Sequence, residues 1–179
     1  MFQDLDLAAD FFDWVLSTLK PDLSARKKIL VFEAEESPAL APLLKEGIVL
    51  DDFNRKALAE VPDAAYDLIL CPSLFLSLEK DAAYPAALTL GRLLAPGGDA
   101  HVLFPPAWLP AAWADKVVKF HKEGNTKLYF RFKNHISAYT FYTNREIELL
   151  PAGLHLERLT ILRDGFRRAH YSRRPKETA

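Results

Sequence analysis

Cys71 is the only cysteine of the chain; it closes the apolar run Leu68-Ile69-Leu70 and is followed by Pro72-Ser73. At the carboxyl end of a strand, where open α/β sheets bind ligands, such a thiol is either a reactive nucleophile or a small packed hydrophobe. The second reading is preferred. A single cysteine cannot form an internal disulfide, which points to a reducing, cytoplasmic setting. His101, His121, His135, His155 and His170 stand at least 14 residues apart, so no two have the local spacing of metal ligands and no metal is expected. The chain holds no Gly-x-Ser-x-Gly elbow, no Gly-x-x-x-x-Gly-Lys phosphate loop and no intact Gly-x-Gly-x-x-Gly. The usual hydrolase, nucleoside-triphosphatase and dehydrogenase readings fall away with them.

Two basic clusters are candidates for binding anions. Lys127, Tyr129, Arg131 and Lys133 alternate with Leu128, Phe130 and Phe132, which reads as a strand with one basic face. Such a face either grips phosphates and stacks a base, or protects a sheet edge with charge. Arg163, Arg167, Arg168, Arg173 and Arg174 flank the turn Asp164-Gly165 and read as surface charges on both faces of a hairpin. They form no single groove, so nucleic acid is not the expected partner. The charge is nevertheless polarised: residues 1 to 99 hold 9 basic and 17 acidic side chains, residues 100 to 179 hold 14 and 7.

Strands and helices must position these groups. Ile29 to Phe32, Ile48 to Leu50, Leu68 to Cys71 and Val102 to Phe104 are unbroken apolar runs of strand length, as adjacent parallel strands covered on both faces require. Leu5, Ala8, Ala9, Phe12, Val15, Leu16 and Leu19 recur at helical spacing and predict an N-terminal helix over residues 1–20. A short helical stretch is expected through Leu43-Leu44. Ala83, Ala86, Ala87, Leu90, Leu93 and Leu94 predict a second long helix, broken by Pro96-Gly97-Gly98. A helix with Lys116, Lys119 and Lys122 on one face follows, then a short one capped by Thr143 or Asn144. Residues 154 to 162 and 166 to 174 predict the closing hairpin, and 175–179 a free tail.

With 179 residues, half of them hydrophobic and 26% charged, the chain suits one soluble domain, residues 1–174, large enough to bury a core without staples. No apolar run nears the roughly 20 residues of a membrane span. Asp4, Asp6, Asp10 and Asp13 stand where a signal peptide carries positive charge.

The order of buried strand, Tyr66-Asp67-Leu68-Ile69-Leu70, long helix, Arg92-Leu93-Leu94-Ala95-Pro96-Gly97-Gly98 and strand to Pro105 resembles class I S-adenosylmethionine-dependent methyltransferases. Phe141 to Ile147 and Ala152-Gly153-Leu154 extend the likeness into the family's late helix and closing hairpin. The resemblance implies a three-layer Rossmann-like α/β fold with a mostly parallel sheet. Its cofactor positions fall on Glu33, Glu35 and Ser37, in the turn after the first strand, on Asp51 or Asp52, and on Cys71. Glu33 matches the acid that often opens that turn, but Glu35 and Ser37 stand where glycines let the backbone approach S-adenosylmethionine. Their side chains crowd the pocket, Glu35 and Glu36 repel the cofactor's carboxylate, and Pro38 restricts the turn. Cys71-Pro72-Ser73-Leu74 replaces the Asn or Asp, Pro, Pro and aromatic of amino-group methyltransferases, leaving no acceptor-orienting group.

Pro38 to Ala65 spans 28 residues, where two strands and three helices need roughly 50. One βα unit is therefore missing and the sheet is reduced. Asp51 or Asp52 then matches either the ribose-binding acid of the family's second strand or the adenine-facing acid of its third. The expectation is a degenerate methyltransferase-like protein without a cofactor, acting through another protein such as an active enzyme. The alternatives are a working S-adenosylmethionine-dependent methyltransferase of a small molecule and a nucleic-acid accessory domain.

Overall fold

The computed structural model describes residues 11, 13, 14, 17, 18, 28–32, 49–52, 60–72, 74–137, 139–162 and 165–174. The expected short helix at 43–44 and the tail 175–179 lie outside them. Among the described residues six strands form one sheet: β1 (Lys28–Val31), β2 (Val49–Asp52), β3 (Tyr66–Cys71), β4 (Leu94–Phe104), β5 (His155–Ile161) and β6 (Arg167–Ser172), in the order β2-β1-β3-β4-β6-β5. The first four are adjacent and parallel, and β6 and β5 close the sheet antiparallel. This is the mostly parallel, Rossmann-like sheet with a terminal antiparallel hairpin that the resemblance implies. Ile29, Leu30, Ile69, Leu70, Cys71 and Leu103 are all fully buried, and each large apolar side chain so buried contributes about 1.5–3 kcal/mol.

Between β3 and β4 run α1 (Leu74–Ser77) and α2 (Lys80–Leu93). The buried stripe of α2, Ala83, Ala87, Leu90, Gly91 and Leu93, covers one sheet face. Helices α3 (Ala111–Lys122), α4 (Thr126–Ser137) and α5 (Asn144–Leu149) follow β4. Thr143 caps α5 in a reciprocal box with Glu146. Of the N-terminal segment, Phe11, Asp13, Trp14, Ser17 and Thr18 are helical. Phe11 is buried and Trp14 meets His101 edge-on at 5.1 Å; Leu5, Ala8, Ala9, Phe12, Val15, Leu16 and Leu19 of the expected stripe lie outside the described residues.

Two expectations are corrected. Strand β4 begins at Leu94, so Pro96-Gly97-Gly98 lies inside a strand instead of ending a helix. The register jumps from Tyr66 opposite Leu94 to Leu68 opposite Asp99, and Gly97 takes φ +78° within this bulge. Gly98 is packed so closely that a Cβ there would stand 2.8 Å from the Asp67 carbonyl oxygen.

The second correction concerns residues 127–133, which form helix α4 and not a strand. Gly124, at φ +65°, ends the preceding helix, and Asn125 starts the next by accepting the Leu128 amide on its Oδ1. In a helix, alternate residues turn through about 200°, so Lys127, Tyr129, Arg131 and Lys133 do not share a face. They guard no sheet edge; Tyr129 instead packs beside His121 of α3, ring centroids 5.5 Å apart.

Candidate functional site

From β1 the chain passes to β2 on one side and then to β3 on the other. The carboxyl ends of β1 and β3 therefore flank the topological switch point, where open α/β sheets bind ligands. Val31 is paired with Asp52 on one side and with Leu70 on the other. Asp51, Asp52, Phe32 and Cys71 thus gather at one end of the sheet, from positions up to 39 residues apart in the chain. Because β2 pairs directly with β1, Asp51 and Asp52 occupy the second-strand place and not the third. Glu33, Glu35 and Ser37, with Glu36 and Pro38, lie outside the described residues.

The described floor of this crevice is apolar. Phe32 is buried, its amide donating to the Leu70 carbonyl at 2.9 Å. Cys71 is fully buried beside Leu74 and Phe75 in the central core cluster, which favours the packed hydrophobe over the reactive thiol. Phe75 lies 5.1 Å from Phe104, and Phe104 meets Tyr142 in a T at 5.5 Å. The Tyr142 hydroxyl donates to the Leu78 carbonyl. Burial, with the nearby Glu146 charge, pushes that phenol up to about 12, so it is neutral at physiological pH.

Two further groupings were not legible from spacing. Strand pairing sets His101 opposite His170, their rings stacked at 4.5 Å, and Asp99 holds the His170 Nε2 at 3.0 Å. Arg168 lies over the Trp14 ring beside them. Burial, and secondarily the Arg158 charge, lowers the Arg168 guanidinium to about 10. No group of three His, Cys, Asp or Glu among the described residues is arranged to hold a metal ion.

The arginines around the hairpin also correct the surface reading. Arg167 is 3% exposed; its guanidinium donates to the carbonyls of Pro105 and Tyr142 and to Asn144 Oδ1. Arg173 donates to the carbonyls of Gly91, Arg92 and Leu94 at the end of α2. These are internal clamps: backbone carbonyls left open at a strand end or helix end need donors, and the guanidinium fork supplies several at once. Arg174 is exposed, and Arg163 lies outside the described residues. No helix among the described residues is long and apolar enough to cross a membrane.

No family model and no curated protein matches the chain. Solved structures do. A Burkholderia thailandensis 1,6-didemethyltoxoflavin-N1-methyltransferase, solved with 1,6-didemethyltoxoflavin and S-adenosylhomocysteine bound, superposes with TM-score 0.56 at 13% identity, over 94% of this chain and 86% of its own. An O-methyltransferase family protein from the same organism gives 0.58 at 12% identity, over 93% of this chain and 59% of its own, so the present chain spans little more than half of that protein. A Rhodobacter sphaeroides protein described as a candidate Zn-dependent alcohol dehydrogenase gives 0.60 at 14%, over 92% and 90%. At such identities the likeness is one of fold, and the fold is that of the class I methyltransferases, shortened.

Proposed function

We propose that this chain keeps the methyltransferase scaffold without methyl transfer and acts, in the cytoplasm, by binding another protein, an active enzyme being the expected kind. The observation that carries this is the end of β3. There the chain offers the fully buried thiol of Cys71, then Pro72, Leu74 and Phe75 turned into the core, where an acceptor-orienting amide or carboxylate belongs by resemblance. The sequence Glu33-Ala34-Glu35-Glu36-Ser37-Pro38 in place of a glycine-rich turn supports the same reading. Tyr84 and Leu88, both exposed and one helical turn apart on α2, supply apolar surface for a partner.

A second reading, a working methyltransferase of a small molecule, is favoured by one observation. Strand β2 ends on Asp51 and Asp52 beside β1, the place from which the family's second-strand acid takes the ribose. Calorimetry with S-adenosylmethionine and S-adenosylhomocysteine separates the two. The first reading expects dissociation constants weaker than about 1 mM, about 4 kcal/mol of binding; micromolar affinity for either ligand overturns it and promotes the enzyme.

A further inference from the structure

A pocket of about 190 Å³ opens at the end of β4, walled by Pro106, Trp108 and Pro110 on one side and by Asn144, Ile161 and Arg167 on the other. It stands over the end of β4 and the β5–β6 hairpin, one strand over from β3, which bounds the switch point. The wall is apolar apart from two side chains, and those two are arranged as donors. Of the five N–H groups of a guanidinium, Arg167 spends Nε on Pro105, both Nη2 hydrogens on Pro105 and Tyr142, and one Nη1 hydrogen on Asn144 Oδ1. One Nη1 hydrogen remains. Because the Asn144 oxygen faces Arg167, its Nδ2 hydrogens are left as donors beside it.

The charge at this wall is not neutralised locally. Among the described residues Arg167 has no carboxylate within ion-pair distance. Glu146, whose field reaches it, is itself bonded to Lys80 at 2.5 Å. A buried cation held only by carbonyl and amide oxygens favours an anion at an opening beside it. At the rim, Trp108 is 75% exposed and Ile161 72% exposed. So large an exposed indole beside a cation suits a flat ring. The volume falls below the roughly 300 Å³ at which pockets for drug-sized ligands begin, which limits the occupant to about one ring.

We propose that this pocket binds a small planar aromatic carboxylate, its carboxylate on Arg167 Nη1 and Asn144 Nδ2 and its ring against Trp108 and the prolines. Nothing in this depends on whether S-adenosylmethionine binds.

The test is calorimetry of the full chain with benzoate, benzamide and inorganic phosphate as probes, without S-adenosylmethionine. Benzoate is expected to bind with a dissociation constant below about 1 mM, within reach of a single-ring ligand. Benzamide, with the same shape and no charge, should bind at least about 10-fold more weakly, and phosphate, with charge and no ring, more weakly than benzoate. Trp108→Ala and Asn144→Leu should each weaken benzoate by about 5-fold; the melting temperature should hold for the exposed Trp108 and fall for Asn144→Leu, which also removes an acceptor from Arg167. Arg167→Gln should abolish binding; if it fails to fold, the probe comparison and the two surface variants still decide. Benzamide or phosphate binding as tightly as benzoate, indifference to both surface variants, or no heat with about 5 mM benzoate overturns the proposal.

Discussion

Replacing Gly98 by alanine tests the bulge that joins β3 to β4. The added methyl would stand 2.8 Å from the Asp67 carbonyl oxygen, 2.9 Å from that of Ala95 and 3.0 Å from Leu94 Cδ1. Two of these neighbours are backbone, so no rotamer change relieves them. Asp67 is also held from the far side, its carboxylate accepting the Lys28 amide of β1 at 3.1 Å, so β3 cannot retreat without disturbing a second strand pair. Overpacking of this kind costs about 1–3 kcal/mol, and the rigid neighbours place Gly98→Ala in the upper half, about 2–3 kcal/mol. For a domain of this size each kcal/mol moves the melting temperature by about 2–4 °C, giving a fall of about 4–12 °C. Gly97 is the control. It has nothing within 4 Å of a built Cβ but a φ of +78°, so Gly97→Ala should cost only the left-handed backbone penalty, about 1 kcal/mol. Thermal unfolding followed by circular dichroism compares the two. A Gly98→Ala protein as stable as Gly97→Ala would refute the close approach of β4 to Asp67, and with it the register on which the sheet's centre depends.

Tyr171 is fully buried and its hydroxyl donates to the Ile147 carbonyl at 2.7 Å; Tyr171→Phe should therefore lower stability in urea by about 1–3 kcal/mol, the cost of an orphaned buried acceptor. Arg173→Leu leaves the carbonyls of Gly91, Arg92 and Leu94 without their shared donor and should cost about 1.5–3 kcal/mol in the same assay. The hydrogen bond from Lys80, then that from the Thr143 amide, holds Glu146 at about 2, below its ordinary 4.5. A carboxylate lowered in the folded state stabilises fully above 4.5 and loses that contribution as pH falls towards 2. Glu146→Gln should thus be less stable than the parent by about 1 kcal/mol or less at neutral pH, the pair being partly solvated. The gap should close on acidification; a gap unchanged at pH 2.5 would sink the assignment.

The parallel half of the sheet was legible because Ile29 to Val31 of β1, Leu68 to Cys71 of β3 and Val102 to Phe104 of β4 are apolar without interruption, and two-sided burial explains such runs. The hairpin was legible from Asp164-Gly165 between two extended segments. Helix α4 was not: Lys127 to Lys133 alternate as a strand would, and the deciding signals, Gly124 and Asn125, lie just before the segment. The clamps escaped notice for a different reason. Arg167 finds Pro105 across 62 positions of sequence, and His101 finds His170 only through the pairing of β4 with β6. Side-chain partners set by register cannot be read from neighbours in the chain. Of the cofactor positions, the structure brings Asp51, Asp52 and Cys71 to one end of the sheet and shows the last as core.

The place of β6 between β4 and β5 constrains the order in which the sheet can assemble. Among the described residues strand β5 has one strand neighbour, β6, and β6 alone connects it to β4. The β5–β6 pair closes a short loop, whereas joining β6 to β4 closes one of about 60 residues at a larger entropic cost. The hairpin is therefore expected to form early as a local unit and to dock as a whole, β5 joining the parallel strands only through β6. Refolding rates should then be more sensitive to substitutions at the β4–β6 seam, such as Val102 or Ala169, than to those at the outer face of β5, such as Ile161.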